Sequence, residues 1–189
     1  MPVGTPCARI AILGARVMVS APGNVWVYHT DRDGIDMRLN PVASQLNTLT
    51  LAPQFIPPEE MPVLANPIPE TLFSVIIDDA GNRYQISIYQ DRSVAGYQWA
   101  DAERWAAVDL GSISYRDLFE LRDRLTDAQF AGFHGLRYGM WPSSDTLTYT
   151  LVGGQEDWVV QYDTAIADQL PLPLQTLIAT WVALGLENR

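Results

Sequence analysis

Residues 145–163 form two alternating runs, Asp145-Thr-Leu-Thr-Tyr-Thr-Leu-Val152 and Trp158-Val-Val-Gln-Tyr-Asp163, about a Gly153-Gly154 turn. Alternation of period two gives a strand one buried face, and glycine supplies the positive φ of a tight reversal. The pattern predicts a β-hairpin. An apolar segment follows that opens with Pro171 and Pro173, both tolerated in a first helical turn, and ends before Gly185. Its Leu174, Leu177, Ile178, Trp181, Val182 and Leu184 recur at helical spacing, so this segment is expected to dock one face on the sheet.

Upstream, Leu72 to Ile77 and Tyr84 to Tyr89 flank the turn residues 78–82, predicting a second hairpin. Ser114 is an N-cap for a helix from Tyr115 to Leu125, with Leu118, Leu121 and Leu125 along one stripe. Thr126 and Gln129 have capping-box spacing, so a second short helix is expected to run from there to about Gly132 and to bury Phe130 and Phe133. Residues 134–144 read as a loop. The stretch 92–111 has no clear period beyond a short strand at Val108 to Leu110.

The first 51 residues read as all-β. Ala8 to Val19 is expected as a buried strand or strand pair; it is interrupted by Arg9, Gly14 and Arg16 and is too short to span a bilayer. Ala21 to Asn24 is a turn, Val25 to His29 a strand, Asp31 to Gly34 a tight turn, Ile35 to Leu39 a further strand, and Gln45 to Leu51 one more short strand. Six prolines between Ala52 and Pro69 exclude a helix or a central strand there, because each removes a donor and restricts the residue before it. The division expected is an N-terminal β segment (1–51), a proline-rich connector lying along the surface (52–70) and an α+β domain (71–189). The fold class is α+β: an antiparallel sheet with two or three helices packed on one face, preceded by a small β segment.

Composition narrows the chemistry. At 48% hydrophobic and 18% charged, the 189 residues can bury a core and do not resemble a disordered chain. All 12 basic residues are arginine, which removes Schiff-base and Walker-type lysine mechanisms. A net charge of -10 with no basic run opposes binding to nucleic acid and favours neutral or basic partners. Cys7 is the single cysteine, so no internal disulfide forms. No transmembrane segment or secretory signal is recognisable, and the compartment stays open; a longer leader upstream would place the protein outside the cytoplasm.

The order of hairpin, linking segment, helix, Gly-Phe loop, hairpin and proline-opened helix over residues 71–184 resembles the emfourin-type group of small bacterial proteins. The residues that carry the resemblance are Leu125 to Phe133, Leu147 to Leu151 ahead of the Gly-Gly turn, Val159 to Tyr162, and Pro171 to Trp181. The named member of that group inhibits a thermolysin-like metalloprotease, so the resemblance implies a protease inhibitor-like role. It transfers no specific inhibitory residue, and the 70 residues before it depart from a group of single short domains. Residues 23–39 are also similar to one repeat of a β-propeller, but one blade cannot bury its own faces.

Three constellations invite a chemical reading. Asp31, Asp33 and Asp36 surround Gly34 in a turn that suits Ca²⁺, although an Asp-Gly hairpin turn explains the same residues. His134 with Ser143 or Ser144 and Asp145 imitates a triad without a nucleophile elbow, giving a small-hydrolase alternative. Tyr97, Trp99, Arg104 and Trp105, with Trp141 in the later loop, form an aromatic group suited to an interface, or to plugging gaps between sheet and helix. No cofactor is implied. The function expected is a non-enzymatic protein-binding module, with a structural or assembly subunit that pairs through β-edges as the alternative.

Overall fold

The computed structural model describes residues 14–21, 23–49, 53–67, 69–79, 82–101, 104–139, 147–154 and 158–186, with side chains of 45–49, 100, 101, 104 and 127 outside the description. Two sheets hold most of the chain. The smaller comprises β1 (Arg16–Ala21), β2 (Gly23–Thr30) and β3 (Met37–Leu49), antiparallel in that order.

The larger sheet uses β4 (Gln54–Phe55), β5 (Thr71–Asp79), β6 (Asn82–Tyr89), β7 (Ser93–Asp101), β8 (Arg104–Ser112), β9 (Leu136–Tyr138), β10 (Thr148–Gly153) and β11 (Trp158–Asp163). Its spatial order is β4-β9-β11-β10-β5-β6-β7-β8. All its pairs are antiparallel except β9 with β11, which makes it a mixed sheet rather than the antiparallel one expected. The fold is mostly β, with helices α1 (Tyr115–Asp127) and α2 (Leu172–Ala183) and short 3-10 segments.

Both sequence-predicted hairpins form, β5 with β6 and β10 with β11. Ser114 caps α1 by accepting from the Asp117 amide. The capping box at Thr126 does not form. Helix α1 runs through that residue, whose hydroxyl donates back to Arg122 O, and Gln129 instead takes the left-handed conformation that turns the chain into the 3-10 segment Phe130–Phe133. Phe130 and Phe133 are buried there, as their spacing required. Helix α2 starts after Pro171 and buries Leu174, Leu177 and Trp181, while Val182 points to solvent, off the predicted face.

One apolar cluster joins Phe73 and Val75 of β5, Leu151 of β10 and Val160 of β11 to Leu121 and Leu125 of α1 and to Leu177 and Trp181 of α2. Trp181 sits 5.8 Å from the Phe73 ring, which also meets Phe130 edge-on at 6.4 Å. Val25, Val27 and Ala43 of the smaller sheet belong to the same cluster, so the two sheets share a core.

The join is made by a bulge. Residues Val25 and Val27 of β2 pair with Gln45 and Asn40 of β3, leaving Pro41 to Ser44 opposite Trp26 alone. The expected break between two short strands is therefore one long, bulged strand, and Pro41 lies where the ladder is already interrupted. Asn40 organises the bulge. Its Oδ1 accepts from the Val42 and Ala43 amides at 3.2 Å each, and its Nδ2 donates to Gly132 O at 2.8 Å, in the 3-10 segment of the other sheet's half. Ser44 completes the loop by donating to Asn40 O and accepting from the Val27 amide.

The proline-rich connector does more than lie along the surface. Ile56 and Leu64 are buried against Ile76, Val152 and Val159, forming a second core on the opposite face of the larger sheet. Beneath it runs a buried polar chain: the Ala65 amide donates to Gln85 Oε1, Gln85 Nε2 donates to Ser87 Oγ, and Ser87 and Ser74 share a hydrogen bond. Arg137 of β9 holds Glu60 at 2.6 Å.

Replacing Asn40 by Ala removes three bonds to backbone groups, one of them buried and two part-buried. The variant is expected to lose about 2–3 kcal/mol of unfolding free energy, read as a lower urea midpoint at unchanged m-value.

Candidate functional site

The aromatic stretch, which shows no clear period beyond Val108 to Leu110, is a regular hairpin of β7 and β8 at the end of the larger sheet. Tyr97 faces Ala107 and Trp99 faces Trp105 across the ladder, so these aromatic residues share one face. Trp99 and Trp105 meet edge-to-face with centroids 4.8 Å apart, and Trp99 is 39% exposed. Tyr97 has a different task. Its hydroxyl bonds Tyr89 OH at 2.8 Å and accepts from Asn66 of the connector, which ties the hairpin to the strap. Burial and that hydrogen bond push the Tyr89 hydroxyl up to about 12. The Arg104 side chain and Trp141 lie outside the described residues.

Strand β8 is the end of the sheet. Its nine residues, Arg104-Trp-Ala-Ala-Val-Asp-Leu-Gly-Ser112, pair with β7 on one side and with no other described strand. The interior carries a single charge, Asp109, and that carboxylate accepts from the Gly111 amide of its own strand. There is no proline. The opposite edge, β4, is two residues long and stands between Pro53 and Pro57, a blunted edge of the kind that resists pairing. On the face away from the tryptophans, Val108 is 53% exposed beside a shallow apolar groove of about 480 Å³ lined by Ile77, Tyr84, Ile86, Leu110 and Tyr149. Gly96 opens this groove, since a Cβ there would meet Leu110 Cδ1 at 3.1 Å.

The remaining constellations resolve differently. Asp31 caps its own turn, its Oδ1 accepting from the Ile35 and Asp36 amides, with Gly34 at φ +71°. Asp36 pairs with Arg38 at 3.1 Å, and Asp33 is exposed. Among the described residues no three His, Cys, Asp or Glu side chains converge as a metal set. Ser143, Ser144, Asp145 and Cys7 lie outside the described residues, so the triad geometry is not observed. No described helix is long and apolar enough to cross a membrane.

The histidines each have one nitrogen fixed. His134 Nδ1 accepts from the Val159 amide at 3.1 Å, so the neutral ring carries its proton on Nε2. His29 Nε2 lies 3.1 Å from Asn40 Nδ2. Because Asn40 Oδ1 accepts two amides, the facing group is an NH₂ donor, and His29 Nε2 must accept. Its proton therefore sits on Nδ1. Desolvation, reinforced by the Arg16 charge, holds the His29 pKa below its ordinary value.

A comparison with protein-family models finds no match, and a comparison with curated proteins finds none either. The resemblance of residues 71–184 to the emfourin-type group thus rests on the residue pattern alone.

Two outcomes follow. A double-mutant cycle on Trp99→Ala and Trp105→Ala is expected to return a coupling of about 0.5–1.5 kcal/mol, the range for such aromatic pairs. For His29, the unfolded chain takes up a proton first as the pH falls. The folded state therefore loses stability below about 6.5 and down through the lower folded value. His29→Gln should remove that portion of the pH slope in thermal melts between pH 7.5 and 5.5.

Proposed function

We propose that the protein is a non-enzymatic binding module that takes up an extended segment of another protein by strand addition along β8. The carrying observation is the asymmetry of the larger sheet, with one edge two residues long and bounded by prolines and the other nine residues long and paired with no further described strand. An added strand satisfies the outward amides and carbonyls of β8, and its alternate side chains fall on two distinct surfaces. One set meets the Trp99–Trp105 pair. The other enters the groove beside Val108. In this reading α1 and α2 form one layer over the β5–β10 centre of the sheet, which leaves β8 beyond their reach.

The charge of -10 favours a neutral or basic segment. A protease is the partner that the sequence resemblance implies, and proteases hold their substrates extended, so an edge strand is a suitable element to present to one. A second reading uses the same edge to pair two copies of this chain into a continuous sheet. The like charge of the copies opposes it.

Val108→Lys places on β8 the guard that natural edges use. With wild-type bait, a co-purifying protein is expected that is lost with Val108→Lys at unchanged melting temperature. Hydrogen exchange of the isolated complex should show the β8 amides newly protected. Protection elsewhere with β8 unchanged would refute the edge reading. Sedimentation velocity across a concentration series separates pairing between copies, which predicts a concentration-dependent dimer.

A further inference from the structure

A cleft of about 350 Å³ opens between the C-terminal half of α1 and the end of the larger sheet where β5 begins and β10 stops, three strands away from β8. Leu72, Leu125, Phe130 and Trp158 line it with apolar surface. Irregular backbone makes the room. In the β5–β6 ladder Thr71 pairs with Tyr89 and Phe73 with Ile88, so Leu72 has no residue opposite it, and both Thr71 and Leu72 border the cleft. Gly154 turns away from β10 at φ +84° and donates its amide to Leu72 O. A Cβ there would meet Trp158 Cε3 at 2.7 Å, so the indole lies directly on the backbone and closes one wall. Gln129, in the left-handed region at φ +48°, ends α1 beside the opposite wall.

Two polar groups of this cleft are left without partners. Thr71 Oγ1 is buried and has no hydrogen-bond partner, although buried hydroxyls as a rule find one. Arg122 is the one charged side chain among the described residues that line the cleft. Its own helix offers it no carboxylate, because the positions three and four residues away are Leu118, Phe119, Leu125 and Thr126. Arg124 pairs with Glu120 at 4.0 Å, whereas the Arg122 guanidinium has no ion pair or hydrogen bond among the described residues. Phe119, 55% exposed and one turn before Arg122, extends the apolar surface along the same side of the helix.

We propose that this cleft binds a small apolar monocarboxylate, its carboxylate held by the Arg122 fork and the Thr71 hydroxyl and its body laid over Leu72, Leu125, Phe130 and Trp158. Arginine takes both oxygens of a carboxylate at once, and a hydroxyl donates to the same group. The volume lies in the lower part of the range for small-ligand sites, and apolar walls with few convergent polar groups are their usual make-up. One guanidinium balances one negative charge. A dianion such as a phosphoryl group would leave a charge unmet and feel the field of the -10 chain twice over. The site is independent of strand addition, since it uses no residue of β8.

Octanoate is the probe, titrated at pH 7.5 and constant ionic strength against the full-length protein and followed by amide and indole NMR signals. It is expected to shift the Thr71, Leu72 and Gln129 amides and the Trp158 indole saturably, the last identified among six tryptophans by Trp158→Phe. Arg122→Gln, at an exposed position, should weaken the apparent Kd about tenfold, the worth of a charge-assisted bond. Arg122→Lys, which keeps the charge and loses the fork, should weaken it less. Thr71→Val keeps the side-chain shape and removes the orphaned hydroxyl, so it should bind octanoate more weakly without a lower melting temperature. Octanol supplies the tail without the charge and acetate the charge without the tail. An equal response to octanol overturns the carboxylate assignment, and an equal response to acetate overturns the apolar one. Cleft signals that stay unmoved, or an affinity unchanged in Arg122→Gln, overturn the site, with the dispersion of the amide spectrum reporting that each variant is folded.

Discussion

Asn40 is the residue on which the two sheets depend. A long bulge in β3 turns four residues away from their ladder, and buried amides so released must find acceptors or the bulge does not persist. One amide side chain supplies them, and with its other end reaches across to Gly132. An aspartate could accept but not donate, and a serine could not reach both. The same side chain fixes the tautomer of His29.

The larger sheet is covered on both sides by unlike means. In one cluster Leu121 of α1 and Leu177 and Trp181 of α2 join Phe73 and Leu151. On the opposite face, Ile56 and Leu64 of the connector cover Ile76, Val152 and Val159. Prolines suit this second task. They hold the chain extended without asking for backbone partners, while the Ala65 amide finds Gln85, the Ile56 amide finds Gly135 O beside β9, and the Glu60 and Met61 amides turn back to Pro57 O and Pro58 O.

Where a segment carried its own signal, sequence and structure agree. Alternation over Leu72 to Ile77, Tyr84 to Tyr89 and Trp158 to Asp163 marks half-buried strands, and Ser114 and Pro171 mark helix starts. Strand β8 was legible only as the short run Val108 to Leu110, because Ala106, Ala107, Val108 and Asp109 are all exposed and nothing requires them to alternate. The obscurity of that stretch and its availability at the sheet edge have the same origin. Strand β9 is three residues and too short for any period to show, and the Thr126–Gln129 spacing imitates a cap inside a helix that simply continues. Of the aromatic group, the Trp99–Trp105 face was legible as composition, whereas the meeting of Arg16, His29 and His134 around one cleft was not, since strand register and a bulge bring them together.

The strap over the back of the sheet also limits how the chain can be divided. A fragment beginning at Thr71 would retain every strand of the two central hairpins, yet strip the lid from Ile76, Val152 and Val159 and leave Gln85 without the Ala65 amide it accepts. What reads in the sequence as punctuation between two halves is, in the folded molecule, a wall that the second half does not possess by itself.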